Sequence, residues 1–141
     1  MIERDYVMRI LQEFFNAIAK LIRLNLEDPD PSRMQARFND MYTQFFRHPA
    51  GHFYETGKEI ILDDLTQSDN SERDIIAKIQ MLSELLYQDG LIKKSIPEKC
   101  MLLEKSFYLL EYLDRNSRTF SWERSQKMSD IHKILTEFEI R

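Results

Sequence analysis

The chain has 141 residues, 20 of them Lys or Arg against 24 Asp or Glu, for a net charge of −4, with 43% hydrophobic and 31% charged residues. A chain of this size suits a single domain over residues 1–141 that buries about two-thirds of its unfolded surface, and its apolar content excludes a disordered chain. One cysteine excludes a disulfide framework, and three glycines with four prolines are too few for a turn-dense all-β architecture, so an all-α fold is expected.

The first helix is expected over about residues 6–26. Its polar residues Arg9, Gln12, Glu13, Asn16, Lys20 and Arg23 recur every three or four positions and form one stripe. Val7, Met8, Ile10, Leu11, Phe14, Phe15, Ile18, Leu21 and Ile22 cover the rest, well over half of the circumference. Such a helix requires cover on two sides, as a central helix of its own domain, a self-association face or a membrane-surface face.

A second helix starts at Asp30-Pro31, an N-cap followed by a proline that has no N–H to lose there. Met34, Phe38, Met41, Tyr42 and Phe45 form its inner face, and His48-Pro49 ends it. A third is expected from about Ala50 to Leu65, with Gly57 in its middle letting a neighbouring helix come close. Ser71 and Asp74 make a capping box for a fourth, whose inner face is Ile75, Ile76, Ile79, Leu82, Leu85 and Leu86 and whose left-handed C-cap is Gly90. Ser95 and Glu98 open a fifth through Leu102, Leu103, Leu109, Leu110 and Leu113, with Asn116 as a left-handed stop. Ser121 caps a sixth that points Met128, Ile131, Leu135 and Phe138 inward. Five to seven antiparallel helices make a bundle or a short α-solenoid.

The run Leu82-Ser83-Glu84-Leu85-Leu86-Tyr87-Gln88-Asp89-Gly90, followed by Leu103-Glu104-Lys105-Ser106 and Leu109-Leu110-Glu111-Tyr112-Leu113-Asp114, resembles the helix-turn-helix texture of tetratricopeptide repeats. The opening Met1-Ile2-Glu3-Arg4-Asp5-Tyr6-Val7-Met8-Arg9-Ile10 and the stretch Ser117-Arg118-Thr119-Phe120-Ser121-Trp122-Glu123-Arg124 are similar to a family of small uncharacterised bacterial proteins with a tetratricopeptide-like fold. That resemblance implies a bacterial cytoplasmic protein and carries no catalytic or ligand-binding residue to any position here.

Few residues suggest chemistry. His48, His52 and Glu55 approach a metal-ligand pattern, yet zinc enzymes need three protein ligands, and proline and glycine separate the two histidines, so no metal site is assigned. Asp63, Asp64, Asp69, Glu72 and Asp74 lack the glycine and spacing of a calcium loop and are read as solvating the start of the fourth helix. Cys100 is expected to be a buried small hydrophobe. Glycines at 51, 57 and 90 build no phosphate or dinucleotide loop, so no cofactor and no catalytic residue is expected.

The segment 115–127 interleaves cations with aromatics and is the candidate partner-binding patch, through Arg115, Arg118, Trp122, Arg124 and Lys127. In the competing structural reading, Phe120 and Trp122 pin the turn to the core while the arginines pair with Asp114, Glu111 and Glu123. Phe14, Leu21, Leu82, Leu110 and Trp122 are all expected to be structural. The first 70 residues hold 8 basic and 12 acidic residues and the remainder 12 of each, which disfavours nucleic acid as a partner. The opening Met1-Ile2-Glu3-Arg4-Asp5 does not have the pattern of a secretory signal, so export is not expected, and the stretch from Tyr6 to Leu26 carries too many polar groups to span a membrane. A non-enzymatic, cytoplasmic protein-interaction or scaffolding module is therefore expected, with a protein or peptide partner or a second copy of itself. The alternatives are a membrane-surface protein using the first helix and a metal-dependent enzyme using His48, His52 and Glu55.

Overall fold

The structure is a computed structural model that describes residues 2–67, 71–117 and 119–139, so Arg118 and Asp69 lie outside the described residues. Among the described residues, seven α-helices follow in order: α1 (Ile2–Glu27), α2 (Pro31–Phe46), α3 (Ala50–Glu55), α4 (Lys58–Thr66), α5 (Glu72–Ile92), α6 (Ile96–Asn116) and α7 (Trp122–Glu139). No strand occurs among the described residues, and no helix there is long and apolar enough to cross a membrane. The fold class is all-α.

The capping residues act as their sequence positions indicate. Asp30 Oδ1 accepts from the amides of Ser32 (3.1 Å) and Arg33 (3.3 Å), satisfying donors that have no partner in the first turn of α2. Ser71 does the same for Asp74 (3.3 Å), Ser95 for Glu98 (3.4 Å) and Ser121 for Arg124 (3.1 Å).

Three local expectations are corrected. The helix expected from Ala50 to Leu65 is two helices, broken at Thr56-Gly57. Lys105 of α6 causes the break to be tolerated: its buried Nζ donates to the carbonyls of Phe53 (2.7 Å), Tyr54 (2.9 Å) and Thr56 (2.8 Å), groups a continuous helix would have bonded internally. Gly90 and Asn116 are not left-handed stops, since α5 runs two residues past Gly90 and Arg47 alone among the described non-glycine residues has a positive φ. Lys99 closes α5 instead, donating to Gly90 O (3.0 Å) and Leu91 O (2.7 Å). Burial lowers the pKa of both lysines, and these carbonyl dipoles keep their ammonium groups in place.

The central helix is α5, not α1. It packs against α1, α2, α4 and α6, and six consecutive residues, Met81 to Leu86, are buried. On α1, Val7, Phe14, Ile18 and Leu21 are buried while Met8, Phe15 and Leu26 stay exposed, so only one of its apolar sides is covered. The Phe14 ring meets Phe45 and Phe46 edge-on at 5.2 and 6.5 Å, fixing α1 against the end of α2.

Helices α5 and α6 form a tight antiparallel pair. Ser106 Oγ donates to Ser83 O at 2.7 Å, both residues buried, and small side chains there let the backbones approach. A Cβ on Gly90 would lie 3.0 Å from Leu103 Cδ2 and 3.3 Å from Leu102 Cβ, whereas one on Gly51 meets nothing within 4 Å. Leu102 and Leu103 are fully buried and cannot yield. Gly51→Ala therefore gains up to about 1 kcal/mol from helix propensity. Gly90→Ala loses that gain to overpacking, which costs about 1–3 kcal/mol, and is net destabilising. Urea denaturation of the two variants checks this; equal stabilisation would refute the close approach.

Candidate functional site

The structure separates the residues of the predicted patch. Trp122 is 72% exposed, as is Phe120, so neither pins the turn to the core as expected. Arg115 is exposed. Arg124 is turned inward: its Nε and Nη2 both lie 3.1 Å from Asp114 Oδ1, Nη2 also donates to Thr119 O at 3.2 Å, and its side chain is 11% exposed. Lys127 forms an ion pair with Glu84 and stands 5.2 Å over the Tyr87 ring, tying α7 to α5. Two of the five predicted residues thus hold helices together, and the surface they leave is Arg115 with Phe120 and Trp122.

His48 and His52 come together, their rings stacked at 4.0 Å and 14°, with Phe53 edge-on to both. No three His, Cys, Asp or Glu side chains among the described residues are placed to hold a metal ion. Cys100 is half-buried rather than buried, at the edge of a shallow cleft with Pro97, Met101 and Glu104.

A second concavity, less open than the first, lies between α1, the end of α2 and the start of α5. Its apolar floor is Val7, Ile10, Leu11, Phe45, Ala77 and Met81, and its volume is about 320 Å³. Arg47, Asp74 and Lys78 stand around it. A second chamber of about 200 Å³ shares Phe45, Arg47 and Lys78 and continues to His48, His52 and Asp64. Asp74 and Lys78 occupy one face of α5 by their i,i+4 spacing, but nothing in the sequence marks Arg47 as more than the residue before a helix-ending His-Pro.

The buried polar centre was also missed. Asp89 is fully buried and accepts hydrogen bonds at Oδ2 from Tyr42 (2.8 Å) and Tyr54 (2.5 Å), joining α2, α3 and α5. Lys93 Nζ lies 3.3 Å from Oδ1, donates to Gln35, and sits 5.0 Å over the Tyr54 ring. Gln35 in turn donates to Tyr54 (3.0 Å) and Asn39 (2.9 Å), carrying the network to the surface. Burial, then the negative charge of Asp89, pushes both phenols well above their ordinary pKa. They remain neutral donors to the carboxylate, which makes this centre a structural lock.

The chain matches no protein-family model, and comparison with curated proteins and with solved structures gives no significant match.

Removing the acceptor with Asp89→Ala strands two phenols and an ammonium and costs about 3–5 kcal/mol of stability in denaturant titration. Raised phenol pKa values mean that the folded chain keeps protons the unfolded chain releases. Stability is then intact below about pH 10 and falls as pH rises past it. Absorbance titration of the six tyrosines should show Tyr42 and Tyr54 ionising only with loss of helical circular dichroism. Ionisation of all six in a folded chain would contradict the arrangement. For the turn, Arg124→Ala costs about 1–2 kcal/mol, while Trp122→Ala stays within about 0.5 kcal/mol.

Proposed function

We propose that the chain is a non-enzymatic helical interaction module of tetratricopeptide-like kind, working in the bacterial cytoplasm through protein contacts and associating with itself along α1. The observation that carries this reading is the uncovered side of α1. Met8, Phe15, Ala19 and Leu26 are spaced by seven, four and seven residues, which places them on one face about 27 Å long at 1.5 Å per residue. Met8 is 57% exposed, Phe15 41% and Leu26 78%, although Val7, Phe14, Ile18 and Leu21 on the adjoining face of the same helix are buried. A linear apolar stripe of that length is suited to a second helix laid along it. The succession of antiparallel pairs, α1 with α2 and α5 with α6, agrees with a tetratricopeptide-like arrangement. Arg115, Phe120 and Trp122 add a smaller aromatic and cationic surface of the composition that interfaces favour.

Sedimentation equilibrium over a hundredfold concentration range tests the reading. The unmodified chain should run as a dimer or larger, and Met8→Glu with Phe15→Glu as a monomer of unchanged helicity and of stability within about 0.5 kcal/mol. A monomer at all concentrations would overturn self-association. Flotation with anionic vesicles that the same two substitutions abolish would assign the stripe to a membrane surface instead.

A further inference from the structure

The two-chambered cleft combines a concave apolar floor with polar groups that the fold leaves unfinished. Asp74 Oδ1 is shut off from solvent and accepts no hydrogen bond. Arg47 and Lys78 line both chambers, and neither forms an ion pair with a described residue. Arg47 is also held at φ 61° and ψ 27°, a left-handed helix-end position that ordinarily takes glycine or asparagine. A strained backbone retained at the junction of two chambers is the kind of feature that function preserves.

We infer that this cleft binds an extended peptide segment of a partner protein in which a large apolar side chain is followed by an acidic one. The inference rests on the reading of the chain as an interaction module and names what the module holds. The larger chamber, about 320 Å³, has the volume of roughly ten waters at about 30 Å³ each, enough for a leucine or phenylalanine side chain and its backbone. A peptide supplies three complements together: an apolar group for Val7, Ile10 and Met81, a backbone N–H for the Asp74 carboxylate at the cleft wall, and a carboxylate for Arg47 and Lys78. A single-chain fatty anion supplies the first and third but has no donor for Asp74. Asp64 and Asp74 also offset the two cations, so the cleft favours a ligand carrying donors and acceptors over a bare anion. The next peptide residue would enter the smaller chamber beside the stacked His48 and His52.

The test uses the full chain and pentapeptides blocked at both ends, with leucine or phenylalanine fixed at the third position and aspartate or lysine at the fourth. Amide NMR titration should move resonances of residues 7–11, 45–48 and 74–81 with the aspartate series, and binding of the lysine series should be at least tenfold weaker. Lys78→Glu should reverse that preference. Arg47→Gly should weaken the aspartate series at least tenfold while the melting temperature stays at or above that of the unmodified chain, because glycine relaxes the left-handed position. Equal binding of the two series, shifts confined to other residues, or no shifts at millimolar peptide would overturn the inference. So would decanoate binding the cleft more tightly than the aspartate peptides. Self-association along α1 is read in a separate measurement, so peptide binding can fail while the dimer persists, and the reverse.

Discussion

A carboxylate buried at the centre of a protein has to be neutralised where it lies, and Asp89 imposes that requirement on three segments. Its oxygens draw in a phenol from α2, a phenol from α3 and the ammonium just beyond the end of α5. Each donor reaches Asp89 only when its own helix is correctly placed, so the angle of α2, the position of the six-residue α3 and the end of α5 are set together. Nonspecific collapse of the leucine-rich faces would tolerate small slips of one helix past another. This polar centre does not, because a shift of one turn leaves a charge in the core without donors.

The same logic extends through α6, whose lysines complete helices they do not belong to. A six-residue helix is too short to be stable alone, since nucleation fixes several residues for each hydrogen bond gained. α3 is nevertheless formed, with Lys105 taking up its terminal carbonyls and Tyr54 anchored on Asp89. That arrangement makes α3 dependent on both α5 and α6, and it explains a helix break where neither proline nor a left-handed glycine stands. The close pairing of α5 and α6 through Ser83, Gly90 and Ser106 sets the depth at which Lys105 emerges.

Legibility in the sequence follows the range of the interaction responsible. Caps act within three residues, and Asp30, Ser71, Ser95 and Ser121 were all readable. Apolar periodicity marked Phe14, Leu21, Leu82 and Leu110, each buried. What failed depends on partners many residues away. The break at Thr56-Gly57 is explained by a lysine some fifty positions later, and Gly90 looked like a terminator because the leucines opposite it are on another helix. The centrality of α5 was hidden because α1 shows the broader apolar circumference, whereas Ser83, Glu84 and Asp89 of α5 are polar residues whose burial depends on partners from other helices. At the candidate site, the apolar residues of the cleft could be assigned to inner faces, but its mouth could not be assembled from residues 47, 74 and 78 before α1, α2 and α5 were in place. Trp122 was misread because an aromatic residue beside a turn has the same sequence signature whether it faces the core or solvent.

Net charge is a poor guide to the surface of this protein for a related reason. Lys93, Lys99, Lys105, Arg124 and Lys127 are engaged by Asp89, helix-end carbonyls, Asp114 or Glu84, and so are largely withdrawn from partners. The field presented outward is therefore shaped by fewer cations than composition suggests, which is why the proposed partner is a protein rather than a polyanion. It also gives Arg47 and Lys78 their significance. Exposed beside an apolar cleft and forming no ion pair with a described residue, they stand with Asp64 and Asp74 as groups that offer a ligand both cationic and anionic partners.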